Sequence, residues 1–222
     1  MKRWKIACLI LVIFICSVGL FTAYGNNIEN KLADWGYSLG LGIRNVPDKS
    51  DVSENRNIVS YVNGIPVDEI IDRIEKNKAI SDAMKTADNL APSPWDSNPF
   101  DYVYKEKFEL YYAKTNSIEV SKEELEEFIS TEKAVWESED AKDIFEQYLA
   151  GRGITEEEFY NEIAPPSYEK TILKRKVREH ILQSAGMNEK EHEEKQKYLD
   201  EFYKENIKVK EVDKEFIKMH SN

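Results

Sequence analysis

Residues 58–77 read IVSYVNGIPVDEIIDRIEKN: a short β-branched and aromatic run, an Asn-Gly turn, and an acidic start to an amphipathic helix. This stretch decides the fold. A strand at Ile58–Val62 cannot satisfy its own backbone N–H and C=O groups, so it requires a partner elsewhere. Asn63-Gly64 favours positive φ and permits a tight reversal. Downstream, Val67, Ile70, Ile71 and Ile74 recur at helical spacing, and Asp68 and Glu69 suit a first turn. One other stretch alternates like a strand: IKVKEV, 207–212. Pairing it with 58–62 brings the two ends of a domain together around a helical body. The expected fold is therefore mainly α, a helical bundle closed by a small two-stranded sheet.

The intervening chain is rich in helix signals. The period of the first helix slips near Asn77 and resumes at Ile80, Ala83, Met84 and Ala87, and APSPWDSNP (91–99) is a proline-rich loop. Phe100, Val103, Tyr104, Phe108, Tyr111 and Thr115 form a helical stripe. Ser121-x-x-Glu124 and Thr155-x-x-Glu158 are capping boxes. Gly151-Arg152-Gly153 ends the short helix bearing Ile144, Phe145, Tyr148 and Leu149. Pro165-Pro166 is expected to stop the helix opened at Thr155. A helix over 167–184 then carries Ile172, Leu173, Val177 and Ile181, and a charged one over 188–206 carries Tyr198, Leu199, Phe202 and Tyr203 along one side.

The first 25 residues read as a signal peptide or an N-terminal membrane anchor. MKRWK is basic, residues 6–21 are uncharged and apolar, and Ala23 and Gly25 suit a signal-peptidase site. The apolar run is long for a signal core and short for a span, so an uncleaved anchor remains open. In either case the basic end stays inside and the rest lies outside the membrane, secreted or anchored on the outer face. Both cysteines, Cys8 and Cys16, fall in this segment, leaving the remainder without disulfide, thiol nucleophile or cysteine metal site. Cys16 follows Ile13, Phe14 and Ile15 rather than the small residue a lipidation site requires. Residues 26–57 read as a polar spacer with a weak helix around Ile28–Trp35, 58–212 as the folded domain, and 213–222 as a tail.

Charge narrows the function classes. The chain carries 31 basic and 42 acidic residues, a net charge of −11, and beyond the N-terminal segment 28 face 42, a net −14. Such a field repels nucleic acid. The three histidines, His180, His192 and His220, have no nucleophile motif beside them. The run around His192 alternates charge as a solvated helix face does, and no cofactor or metal is expected. Gly151-Arg152-Gly153 lacks the lysine and strand context of a phosphate loop. Aromatic residues, by contrast, cluster between Trp95 and Tyr112, more than one helix face can bury. Trp95, Phe100, Tyr102 and Tyr112 are the candidate contacts to a polypeptide client, with core burial the competing assignment for Phe100, Tyr104, Phe108 and Tyr111.

Four stretches in order, VNGIPV, YYAKTNSIEVSKEELEEFI (111–129), YLAGRGITEEEFYNEI (148–163) and EFYKENIKVKEV (201–212), resemble the SurA-type N-terminal chaperone domain shared with PrsA-type foldases. The resemblance spans about residues 58–212. It implies an extracytoplasmic helical domain that holds exported, unfolded polypeptides and limits their aggregation, and the residues themselves are read as non-catalytic. Many relatives in that family carry a parvulin-type prolyl isomerase domain, and VREHILQS (177–184) echoes its opening. The chain after His180 is too short for that domain, and the helical period runs through the histidine. The alternatives are a degenerate or partner-assisted prolyl isomerase, or an envelope module for one dedicated protein partner.

Overall fold

The computed structural model describes residues 36–41, 43–44, 58–68, 99–138 and 141–220. The N-terminal segment, the helix expected around Ile70–Ala87 and the loop bearing Trp95 lie outside the described residues. Among those described, no helix is long and apolar enough to cross a membrane. The fold is mainly α with a small antiparallel sheet, as the sequence pattern implies. The described residues within Met1–Asp51 and Glu126–Pro165 form one compact unit; those within Val52–Ile71, Asn98–Leu125 and Pro166–Asn222 form the other.

The second unit holds the sheet. Strands β1 (Ser60–Val62), β2 (Ile65–Val67) and β3 (Val209–Glu211) lie in the order β2-β1-β3. The expected closure is present: Ser60 pairs with Glu211, Tyr61 with Lys210 and Val62 with Val209. The sheet has three strands rather than two, because IPV is extended and not the start of a helix. Asn63 and Gly64 take φ of 48° and 87°, the positive pair a type I′ hairpin requires. The chain therefore folds back at once, and Val67 is fully buried opposite Ser60. Val67 satisfies both a helical and a strand period, and the turn decides between them.

Helices α1 (Pro99–Thr115), α5 (Ala164–Ser184), α6 (His192–Asn206) and α7 (Lys214–His220) complete this unit. Phe100, Val103 and Phe108 of the predicted α1 stripe are buried with Ile172, Val177, Ile181, Leu199 and Tyr203. Unexpectedly, α1 also buries Glu106 and Glu109. Glu106 meets Lys170 at 3.5 Å and Lys174 at 3.3 Å. Glu109 accepts from Arg178 Nε at 2.9 Å and from the Tyr203 hydroxyl at 2.7 Å. Lys170, Lys174 and Arg178 repeat every four residues along one face of α5, so the two helices pair through a charge ladder as well as apolar contacts.

In the first unit, α3 (Lys142–Arg152) ends at Gly153 in the left-handed conformation (φ 72°), its N–H returning to Ala150 and Leu149 oxygens. Part of the presumed spacer belongs here: residues 36–41 are helical, and Gly36 and Gly40 lie against the backbone of Ile144 and Tyr148. Gly151 presses equally closely on Tyr37. The core is aromatic, with Phe145 stacked on Trp136 at 5.2 Å and edge-on to Phe159 at 5.2 Å. Both capping boxes form: Thr155 and Glu158 exchange bonds at α4 (Glu156–Glu158) in this unit, and Ser121 and Glu124 at the head of α2 (Lys122–Trp136), whose first turn belongs to the second unit.

The helix opened at Thr155 does not stop at Pro165-Pro166. It continues through a π-helical stretch, Phe159–Ile163, into α5. The Ala164 N–H reaches back to the Phe159 oxygen. Proline breaks an α-helix because it lacks an N–H and its ring strikes the carbonyl four residues back. The wider π turn just before the prolines accommodates both problems.

Candidate polypeptide-contact surface

The second unit presents a continuous aromatic surface built from three helices. Phe108 of α1 is its buried floor, with Tyr112 at 6.1 Å, Phe202 of α6 at 6.2 Å and Tyr203 at 5.8 Å between ring centroids. Tyr112 in turn lies 6.0 Å from Phe202, and Phe202 lies 6.2 Å from Tyr198. His180 of α5 closes the surface, edge-on to Tyr112 at 5.7 Å, with the Tyr112 hydroxyl 3.1 Å from its Nδ1. Tyr111, Tyr112, His180, Tyr198 and Phe202 are all half-buried. Partial burial pushes the Tyr112 hydroxyl pKa up, and the nearby Tyr198 adds to the shift. Tyr112 is therefore a neutral hydrogen-bonding group over the physiological range.

Local spacing explains the arrangement. On α6, Leu199 and Tyr203 point into the core, while Tyr198 and Phe202, one position earlier in each turn, occupy the rim. On α1, Phe108 is buried, Tyr111 continues the stripe at its half-buried end, and Tyr112 lies beside it. The result combines flat apolar ring faces with polar tips, chemistry suited to irregular polypeptide segments.

The four residues singled out from sequence separate. Tyr112 lies at the centre of this surface. Phe100 does not contribute: it is 2% exposed and packs against Tyr104 at 5.7 Å and Phe216 at 6.4 Å, because the stripe directs it to the core. Tyr102 is 53% exposed, yet Lys174 donates to its hydroxyl at 2.9 Å and sits 4.8 Å above its ring. Trp95 lies outside the described residues. Tyr198 and Phe202 were legible as an apolar side of α6, but only their packing beside Tyr112 makes them part of a surface. His180 is a residue of α5, in line with its helical period.

No family model, curated protein or solved structure matches this chain.

Proposed function

We propose that the chain is an extracytoplasmic, non-catalytic chaperone-like protein that holds unfolded or exported polypeptides, its N-terminal segment directing it out of the cytoplasm. The observation that supports this reading is the half-buried aromatic surface of Tyr112, Tyr198, Phe202 and His180. Packed ring faces left partly open to solvent gain free energy when an apolar client segment covers them. Their few rotatable bonds keep the ordering cost small.

The test is suppression of aggregation for several unrelated unfolded clients, by the full chain and by Tyr198→Ala combined with Phe202→Ala. Circular dichroism verifies that the variant stays folded, as half-buried rim positions allow. The expected result is weaker protection of every client, with a binding loss of about 1–3 kcal/mol. Undiminished protection by the folded variant contradicts the proposal. Protection of a single envelope protein alone would favour the dedicated-partner alternative.

A further inference from the structure

The sheet has two outer edges of opposite character. In an antiparallel ladder, successive residues direct their N–H and C=O groups alternately to one side and the other. Asn63 N–H donates to the Lys208 oxygen at 2.9 Å, and Val212 N–H to the Val59 oxygen at 2.9 Å. With Tyr61 paired to Lys210, residues 208, 210 and 212 therefore bond inward to β1, and the backbone groups of Val209 and Glu211 face outward. On the other edge, β2 directs Pro66 outward, and proline has no N–H to offer. The β2 edge is blunted; the β3 edge is open. All three residues of β3 are exposed, Val209 at 39%, and among the described residues no strand lies beyond it.

Side chains define what fits there. Lys208 and Lys210 share one face, and among the described residues neither ammonium forms an ion pair. They stand out in a chain of net charge −11. Val209 lies on the opposite face, beside the buried Val62. A second copy fits poorly. Every two-fold antiparallel register using the Val209 and Glu211 rungs sets Lys210 against Lys210, Lys208 against Lys210, or Glu211 against Glu211. Like charges directly opposite destabilise a strand pair.

From this geometry we infer that β3 is a strand-addition site for an acidic, extended polypeptide segment. The segment runs antiparallel to β3, with carboxylates opposite Lys208 and Lys210 and an apolar residue between them opposite Val209. The outward N–H and C=O groups of Val209 and Glu211 supply the main-chain bonds, and the alternation supplies the selectivity. This site is distinct from the aromatic surface and goes beyond it, since it reads backbone and charge rather than apolar area.

The test uses the full chain and a fluorescent peptide alternating glutamate and valine, with two comparison peptides. One replaces glutamate by lysine; the other is N-methylated along one backbone edge. Binding of the acidic peptide is expected, with a loss of roughly tenfold or more for each comparison peptide. Lys208→Glu with Lys210→Glu, both exposed, should invert the preference toward the lysine peptide. Val209→Pro removes an outward donor without touching the ladder to β1, and should weaken binding of the acidic peptide. Should that variant fail to fold, the N-methylated peptide still probes the same bonds. Absence of binding, equal binding of the N-methylated peptide, or an unchanged preference in the double glutamate variant overturns the inference. The lysines would then serve only to guard the edge against aggregation.

Discussion

Asn63 occupies a position where three requirements meet. Its backbone is left-handed, its side-chain oxygen accepts from the Lys208 N–H at 2.9 Å, and its Nδ2 donates to the Asn206 oxygen at 3.1 Å. One residue therefore forms the hairpin turn and fastens it to the end of α6, where β3 begins. Asn63→Gly keeps the turn and loses the side-chain bonds, at a cost of about 1–2 kcal/mol. Asn63→Ala also forces an alanine into the left-handed region and should cost about 1 kcal/mol more. Denaturant melts of both variants check the order; equal costs would show that the side-chain bonds carry all of the effect. Glu132 poses the opposite case, a buried carboxyl whose Oε1 has no hydrogen-bond partner among the described residues. Burial pushes its pKa up. A carboxyl whose native pKa exceeds its unfolded value holds more protons in the folded state. Its contribution to stability is therefore lost as pH rises from the ordinary carboxylate range through the raised value. Glu132→Gln should raise stability near pH 7 by on the order of 1 kcal/mol and flatten that slope. Melts across pH 4 to 8, about the carboxylate-to-neutral range, would contradict this if the variant tracked the parent throughout.

Between elements, close approach and charge matter as much as apolar stripes. A β-carbon on Gly40 would collide with the Tyr148 carbonyl, and one on Gly151 with that of Tyr37. Backbone atoms cannot move aside as a side-chain tip can, so Gly40→Ala should destabilise by about 1–3 kcal/mol through overpacking. A thermal melt unchanged from the parent would remove this contact from the fold. The same glycines show why part of the architecture was not legible in sequence. Gly36 and Gly40, four residues apart in a polar stretch, suit a flexible spacer equally well until α3 lies against them. Capping boxes, the left-handed Gly153 and the α1 stripe were legible because each is settled within a few residues. The β1–β3 pairing was legible because only two stretches alternated. Val67 reads as helical from sequence and is the last residue of β2, because it fits both periods. The passage through Pro165-Pro166 depends on a π turn that no residue type announces. Glu106 and Glu109 look like solvated residues of α1 until Lys170, Lys174 and Arg178 arrive from α5, some 70 positions away in the chain. At the candidate surface, Tyr112 was legible as an aromatic off the stripe. That Phe202 and His180 meet it was not, because they join it only through packing among three helices.

At the scale of the whole molecule, a net charge of −11 acts on every ligand, and salt separates the two proposed modes of binding. The aromatic surface gains its free energy from burying apolar area, which added salt leaves largely intact. An acidic client is repelled by the protein's overall charge, and screening relieves that repulsion. Client holding should therefore persist, or strengthen, as the Debye length shrinks from ~10 Å at 0.1 M to ~3 Å at 1 M salt. The β3 edge behaves differently: its selectivity rests on exposed Lys208 and Lys210, and exposed ion pairs weaken with screening. Binding of the glutamate–valine peptide should fall over the same range, while preference over the lysine peptide narrows. Titrating both ligands against the same preparation makes each the control for the other. Client holding that collapses at moderate salt would mean charge, not the aromatic rings, makes the contact. Peptide binding indifferent to salt would remove the two lysines as its selective element. Opposite responses are the expected outcome, because one surface buries ring faces and the other pairs charges across an open strand.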